Sequence, residues 1–213
     1  MSIVKRLALI GASSMGSQIM DYAHQTGLYE VVGFIDDNTS IREFRGLPVL
    51  GNCNEITDSY NNNLFDCVFI SIGYTWFDVR EKIYNEIKGK VPFANIISPL
   101  ATVREGAVIG EGVLITDGAY ISNSAVVEDD VCVTLRSIVN HGCRVKKHTF
   151  LSTNVTLAGN ITVGEKCFLG VGCVLSDGIN ICDNTWLTPG VVVLKNIKKP
   201  GKYFNLNGKL VSL

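Results

Sequence analysis

Residues Val139–Leu157 read VNHGCRVKKHTFLSTNVTL. Every sixth residue is aliphatic: Val139, Val145, Leu151 and Leu157. Four places after each comes a small or β-branched residue, Cys143, Thr149, Val155 and Ile161. The register runs without a slip in both directions, from Ile97 to Val193 for the aliphatic position and from Ala101 to Ile197 for the second. A β-sandwich would alternate by two and turn at irregular intervals. A strict period of six is instead the signature of a parallel β-helix. Each hexad makes one short flat strand and one corner, and three hexads close a triangular coil. Coils stack at strand spacing, about 4.8 Å. The aliphatic position fills the prism, and the small position lets the chain turn.

Upstream the pattern changes. From Lys5 to about Phe93, strand-like and helix-like segments alternate. RLALIG (Arg6–Gly11), EVVGFID (Glu30–Asp36) and DCVFISIG (Asp66–Gly73) read as buried parallel strands. Ser14–Thr26 and Phe77–Lys88 have helical spacing, each followed by a glycine, Gly27 and Gly89. Such alternation predicts a small parallel sheet with helices on its faces. The expected organisation is a Rossmann-like βαβ domain over 1–93 and a parallel β-helix with a short tail over 94–213. In that tail Asn207–Gly208 signals a hairpin turn.

Bulk properties narrow the function. The formal net charge is −1, which offers no general attraction for nucleic acid or an anionic membrane. No apolar run approaches the roughly 20 residues that span a bilayer, and Met1–Arg6 lacks a signal-peptide pattern. Charged residues make up only 18% of the chain against about 25% in typical soluble domains, so an apolar surface buried in an oligomer is expected. The seven cysteines include no CxxC. Cys143, Cys167 and Cys173 fall on the inward small position, which predicts packed thiols in a reducing cytoplasm and no metal site.

An N-terminal βαβ unit with IGASSMG (Ile10–Gly16) and FIDDN (Phe34–Asn38), followed by a hexapeptide prism with NHGC (Asn140–Cys143) and LAGN (Leu157–Asn160), resembles the sugar O-/N-acyltransferases of the sialic-acid and bacillosamine biosynthesis type. The resemblance covers nearly the whole chain. It implies a left-handed β-helix, a homotrimer, acetyl-CoA bound between neighbouring prisms, and a nucleotide-linked sugar held by the N-terminal domain. It also implies that His141 is a general base, because His141 occupies the histidine of an N-H-D/E motif. Gly142 stands where that motif has its acid, so the group that orients the base is missing. Two places after His148, Phe150 fills a slot where the family often has another histidine, and that role is not carried over.

The repeat itself adds to this reading. Gly159 lies eighteen residues beyond His141, one full coil, so the two share a face. His141 is at neither inward position and should look outward. A bare N–H at Gly159 could hold the oxyanion formed when an amine or hydroxyl attacks a thioester, with His141 taking the proton. His148 falls on an adjacent face beside Lys146 and Lys147, which predicts an exposed polar residue; a contact between subunits is the alternative.

At the other end, IGASSMG departs from GxGxxG because Ser13 replaces the middle glycine, which disfavours a dinucleotide. The expected nucleotide-sugar contacts are Gly11, Ala12, Ser13 and Ser14, with Asp36 or Asp37 at the nucleoside and Ile72–Gly73 closing the site. The alternative is that Gly11 and Gly16 serve strand–turn–helix packing alone. Lys195 and Lys198, in KNIKKPGK (Lys195–Lys202), could meet CoA phosphates or belong to a solvated terminus. The leading expectation is therefore an acetyl-CoA-dependent N-acetyltransferase of a nucleotide-linked amino sugar, in the cytoplasm. A sialic-acid-type O-acetyltransferase and a non-catalytic trimeric scaffold are the alternatives.

Overall fold

A computed structural model of the protein describes residues 4–206 and 209–212. The chain divides into two compact units, Met1–Ser98 and Pro99–Leu213.

The first unit is built on three parallel strands, β1 (Lys5–Ile10), β2 (Tyr29–Ile35) and, after two short strands β3 (Glu43–Phe44) and β4 (Leu47–Pro48), β5 (Cys67–Ile70), in the order β2-β1-β5. Three strands are fewer than a full dinucleotide fold carries. The apolar runs predicted as strands are nearly completely buried: Leu7 to Ile10, and Cys67 to Ile70. Helix α1 (Ser14–Thr26) starts where Ser13 accepts a hydrogen bond from the Gly16 N–H and ends at Gly27, φ +66°. Those are ordinary start and stop devices. After α2 (Ile56–Asn61), helix α3 (Phe77–Ile87) buries Ile83, Tyr84 and Ile87 against the sheet core with Phe65, Val68 and Ile70.

The second unit is a three-faced parallel solenoid. One face stacks Thr102–Val103, Tyr120–Ile121, Ile138–Val139, Thr156–Leu157, Val174–Leu175 and Val192–Val193. A second stacks Val108–Ile109 through Asn180–Ile181, and the third includes Leu114–Ile115 through Thr185–Leu187. Partners in each stack are eighteen residues apart, as Ile138 with Thr156 and Val139 with Leu157. From Ile115 to Val193 the predicted aliphatic positions are buried. Val103 and Ile109, in the first coil, are only partly covered because no coil precedes them within the solenoid. Strands Gly201–Leu206 and Lys209–Ser212 pair antiparallel as the tail hairpin, while its predicted turn, Asn207–Gly208, lies outside the described residues.

The corner has a second determinant that the hexad pattern did not expose. Every sixth residue from 106 to 190 has positive φ, including Ser124, Asp130, Arg136, His148, Asn154, Asn160, Lys166 and Asn184. This position comes just before the small inward residue, and it makes the bend. The left-handed conformation costs an L-residue about 1–2 kcal/mol, so glycine, asparagine and aspartate are favoured there. The αL residue also ties coils together: the Asn160 N–H donates to the His141 carbonyl at 2.9 Å, and the Gly178 N–H to the Gly159 carbonyl at 2.9 Å. These bonds set the spacing of the column that carries His141.

The candidate active site

His141, Gly159 and Asp177 occupy one column on three successive coils, eighteen residues apart, at the corner between the first and second faces. His141 is exposed, whereas Gly159 is buried. A Cβ built on Gly159 would lie 2.6 Å from His141 Nε2, 2.8 Å from His141 Cε1 and 2.5 Å from Asp177 Oδ1. No side chain could occupy that space without moving both neighbours. The glycine thus admits an imidazole on one side and a carboxylate on the other, facing the same small volume. Among the described residues the Gly159 N–H donates to no group. An unspent donor beside an outward histidine is what a bound carbonyl oxygen requires.

Gly142, where the motif acid is missing, has φ +67°. A Cβ there would meet Asn160 Oδ1 at 2.4 Å, so any side chain must first displace that amide. Directly beneath, burial pushes the Cys143 thiol up, with the charge of Asp177 adding to the effect. Burial likewise pushes Cys167 up to about 12 and Cys173 up to about 11. These are packed thiols with little thiolate, unsuited to nucleophilic work.

His148 corrects the expectation of an exposed residue. It is 3% exposed and pairs through Nδ1 with Asp130 Oδ2 at 2.9 Å. The partner is again eighteen residues away, in the αL corner position of the preceding coil. Its neighbours Lys146 and Lys147 pair with Asp183 and Asp129, at 3.9 and 3.2 Å. Phe150 stacks on Phe168, which contacts Trp186, with ring centroids 6.0 and 4.3 Å apart. The slot therefore belongs to an aromatic ladder running up the third face.

In the first unit, Gly11 (φ +113°), Ala12 and Ser13 form the turn between β1 and α1, and Ser14 opens the helix. Gly16 has a packing role of its own, since a Cβ there would sit 2.3 Å from the Gly11 carbonyl oxygen. Asp36 accepts from the Ala12 N–H at 2.8 Å and from the Asn38 N–H at 2.8 Å. Asp37 accepts from the Cys53 N–H at 2.8 Å. Both carboxylates thus already brace loops at the ends of β1 and β2, with lone pairs to spare. Ser13 and Ser14 are exposed at the α1 terminus, and Ile72 and Gly73 are half-buried after β5. Arg80, which sequence reading missed, is 1% exposed and donates to the carbonyls of Ile70 and Ile72, holding that segment. An arginine on an amphipathic helix gives no sign in sequence that it points inward. Lys195 and Lys198 are exposed at the end of the solenoid.

Among the described residues there is no cluster of histidine, cysteine or acidic side chains able to hold a metal ion, and no helix long and apolar enough to cross a membrane.

A parallel-sheet domain followed by a hexapeptide solenoid is the architecture of acetyltransferases of the left-handed β-helix fold. Residues 6–87 match the PglD N-terminal domain, and over its whole length the chain has the fold of the hexapeptide-repeat sugar N-acetyltransferases. The acetyltransferase domain of PglB from Neisseria gonorrhoeae is 25% identical, with a TM-score of 0.88 over 98% of this chain and 99% of that one. The same domain in complex with acetyl coenzyme A aligns over 99% of this chain and 100% of that one, at 24% identity and TM-score 0.88. PerB from Caulobacter crescentus, in complex with CoA and GDP-perosamine, gives a TM-score of 0.89 at 23% identity over 99% of both chains. An uncharacterized protein, L142, of Acanthamoeba polyphaga mimivirus is 33% identical over 102 residues, 48% of this chain. That match spans 19% of the viral protein's length.

Proposed function

We propose that the protein is an acetyl-CoA-dependent N-acetyltransferase acting on the amino group of a nucleotide-linked amino sugar. The observation that carries the proposal is the exposed His141 imidazole seated against Gly159, whose N–H is unspent. In the reaction the acceptor nitrogen attacks the thioester carbonyl, His141 Nε2 takes a proton from that nitrogen, and the Gly159 N–H holds the oxyanion. The C–S bond then breaks, and the imidazolium returns its proton to the departing thiolate. Direct transfer between two bound substrates needs positioning, a base and a donor, with no covalent intermediate.

Lys195 and Lys198 are assigned to the phosphates of CoA, as mobile point charges. Gly11, Ala12, Ser13 and Ser14, Asp36 or Asp37, and Ile72–Gly73 are assigned to the nucleotide sugar. The exposed Val174 and Val192 on the first face, 40% and 44% accessible, support burial of that face between the subunits of a homotrimer. The enzyme is assigned to the cytoplasm, where acetyl-CoA and nucleotide sugars are available.

The test is release of CoA thiol from acetyl-CoA with a panel of nucleotide amino sugars. Turnover with at least one member is expected. Absence of thiol release across the panel, with release on a free hydroxyl sugar, would move the assignment to O-acetylation; absence of acetyl-CoA binding would reduce the protein to a scaffold.

A further inference from the structure

We propose that Asp177 is the second acceptor for the attacking nitrogen and makes the site selective for amines over hydroxyls. This inference rests on the acetyltransferase reading and adds a residue to it. Asp129 and Asp183 also stand one coil above a corner, and the Oδ1 of each accepts from a backbone N–H eighteen residues earlier, that of Glu111 at 3.2 Å and that of Glu165 at 2.9 Å. Asp177 does not follow them. Among the described residues its carboxylate holds no hydrogen bond or ion pair, and Gly159, eighteen residues earlier, keeps its N–H unspent. Asp177 Oδ1 instead borders the space above Gly159 that His141 Nε2 borders from the other side.

His141 Nε2 and Asp177 Oδ1 both lie close to one point beside Gly159, so they are no more than about 5 Å apart, and a group seated outside the glycine between them meets two acceptors while the Gly159 N–H is kept for the thioester oxygen. The acceptor amine enters the cell's water largely as R–NH3+ and must shed one proton to solvent before it can attack. The neutral R–NH2 then has two N–H bonds and one lone pair. One N–H faces His141 Nε2, the other faces Asp177 Oδ1, and the lone pair is left for the thioester carbon. As the C–N bond forms, the proton facing His141 is transferred. The N–H facing Asp177 is retained and becomes the N–H of the amide. The C–S electrons leave on sulfur, which takes the proton from His141. The sum is R–NH3+ and acetyl-CoA giving R–NH–acetyl, CoA thiol and one solvent proton.

A hydroxyl acceptor has a single O–H. Directed at His141, it leaves an oxygen lone pair against the Asp177 carboxylate, an unpaired and repulsive contact. Sites that must leave a polar group unpaired reject the wrong substrate far more strongly than sites that differ by a methylene. The carboxylate also attracts the ammonium form on arrival.

The experiment compares wild type with Asp177→Asn and Asp177→Ala. It uses a nucleotide amino sugar that the wild type turns over and its counterpart with a hydroxyl in place of the amine. The readouts are kcat/KM for each acceptor and acetyl-CoA affinity. Loss of the carboxylate is expected to lower kcat/KM for the amine about 10- to 100-fold, while acetyl-CoA affinity stays within about twofold and the amine-to-hydroxyl ratio narrows. An undiminished amine rate in both variants, or a fall that is equal for the two acceptors, overturns the role of Asp177 while the acetyltransferase reading stands. Wild-type protein that acetylates no amine overturns both.

Discussion

His141 and His148 lie seven residues apart in one repeat, and the solenoid treats them in opposite ways. Each looks along a column of residues eighteen apart. In the His148 column the neighbour is Asp130, and the two close into a buried pair at 2.9 Å. In the His141 column the neighbour is Gly159, which leaves the imidazole exposed and a backbone N–H unspent. One histidine is consumed by the fold, and the other is left available by a missing side chain. What sets the His141 column apart is the missing side chain at Gly159, against which the exposed imidazole is seated.

The largest expected effect tests the interrupted column. Replacing His141 with asparagine should lower turnover by about 10²- to 10⁴-fold and leave the unfolding midpoint unchanged, because the side chain is exposed. Gly159→Ala comes next. Its methyl would lie within 2.6 Å of both ring and carboxylate, and a loss of about 10²-fold in kcat is expected from misplacement of the base, with fold retained by circular dichroism. His148→Ala should do the reverse. Leaving Asp130 buried without its partner costs about 3 kcal/mol, read as a lower thermal midpoint, while turnover per folded molecule persists. The smallest effect is at Gly142. Gly142→Asp restores the acid of the family motif but must displace the Asn160 amide. A restored acid and a displaced amide act in opposite directions, and the rate should change less than about threefold. A rise of tenfold or more would show that the acid at 142 is simply missing.

Much of this was legible in the sequence because the fold is periodic. The six-residue repeat alone specified inward residues from Ile115 to Val193, and the eighteen-residue coil put Gly159 beside His141. The same arithmetic applied twice reaches Asp177, and applied backwards from His148 it reaches Asp130. That backward step would have pointed to the burial of His148, but Lys146 and Lys147 suggested a solvated edge and the residue was expected to be exposed. Charge in adjacent sequence is a weak guide here, because successive side chains leave a corner in different directions. The αL position was hidden for a similar reason. Arg136 and Lys166 carry no preference for positive φ, and they adopt it because every coil bends at that place. Arg80 was illegible because only the three-dimensional sheet supplies the carbonyls of Ile70 and Ile72 that hold it.

Co-crystallisation with acetyl-CoA would locate the thioester relative to the His141 column. The thioester oxygen is expected within hydrogen-bond distance of the Gly159 N–H, with the carbonyl carbon beside His141 Nε2. A thioester bound at the His148 column, or anywhere that leaves the Gly159 N–H unoccupied, would contradict it.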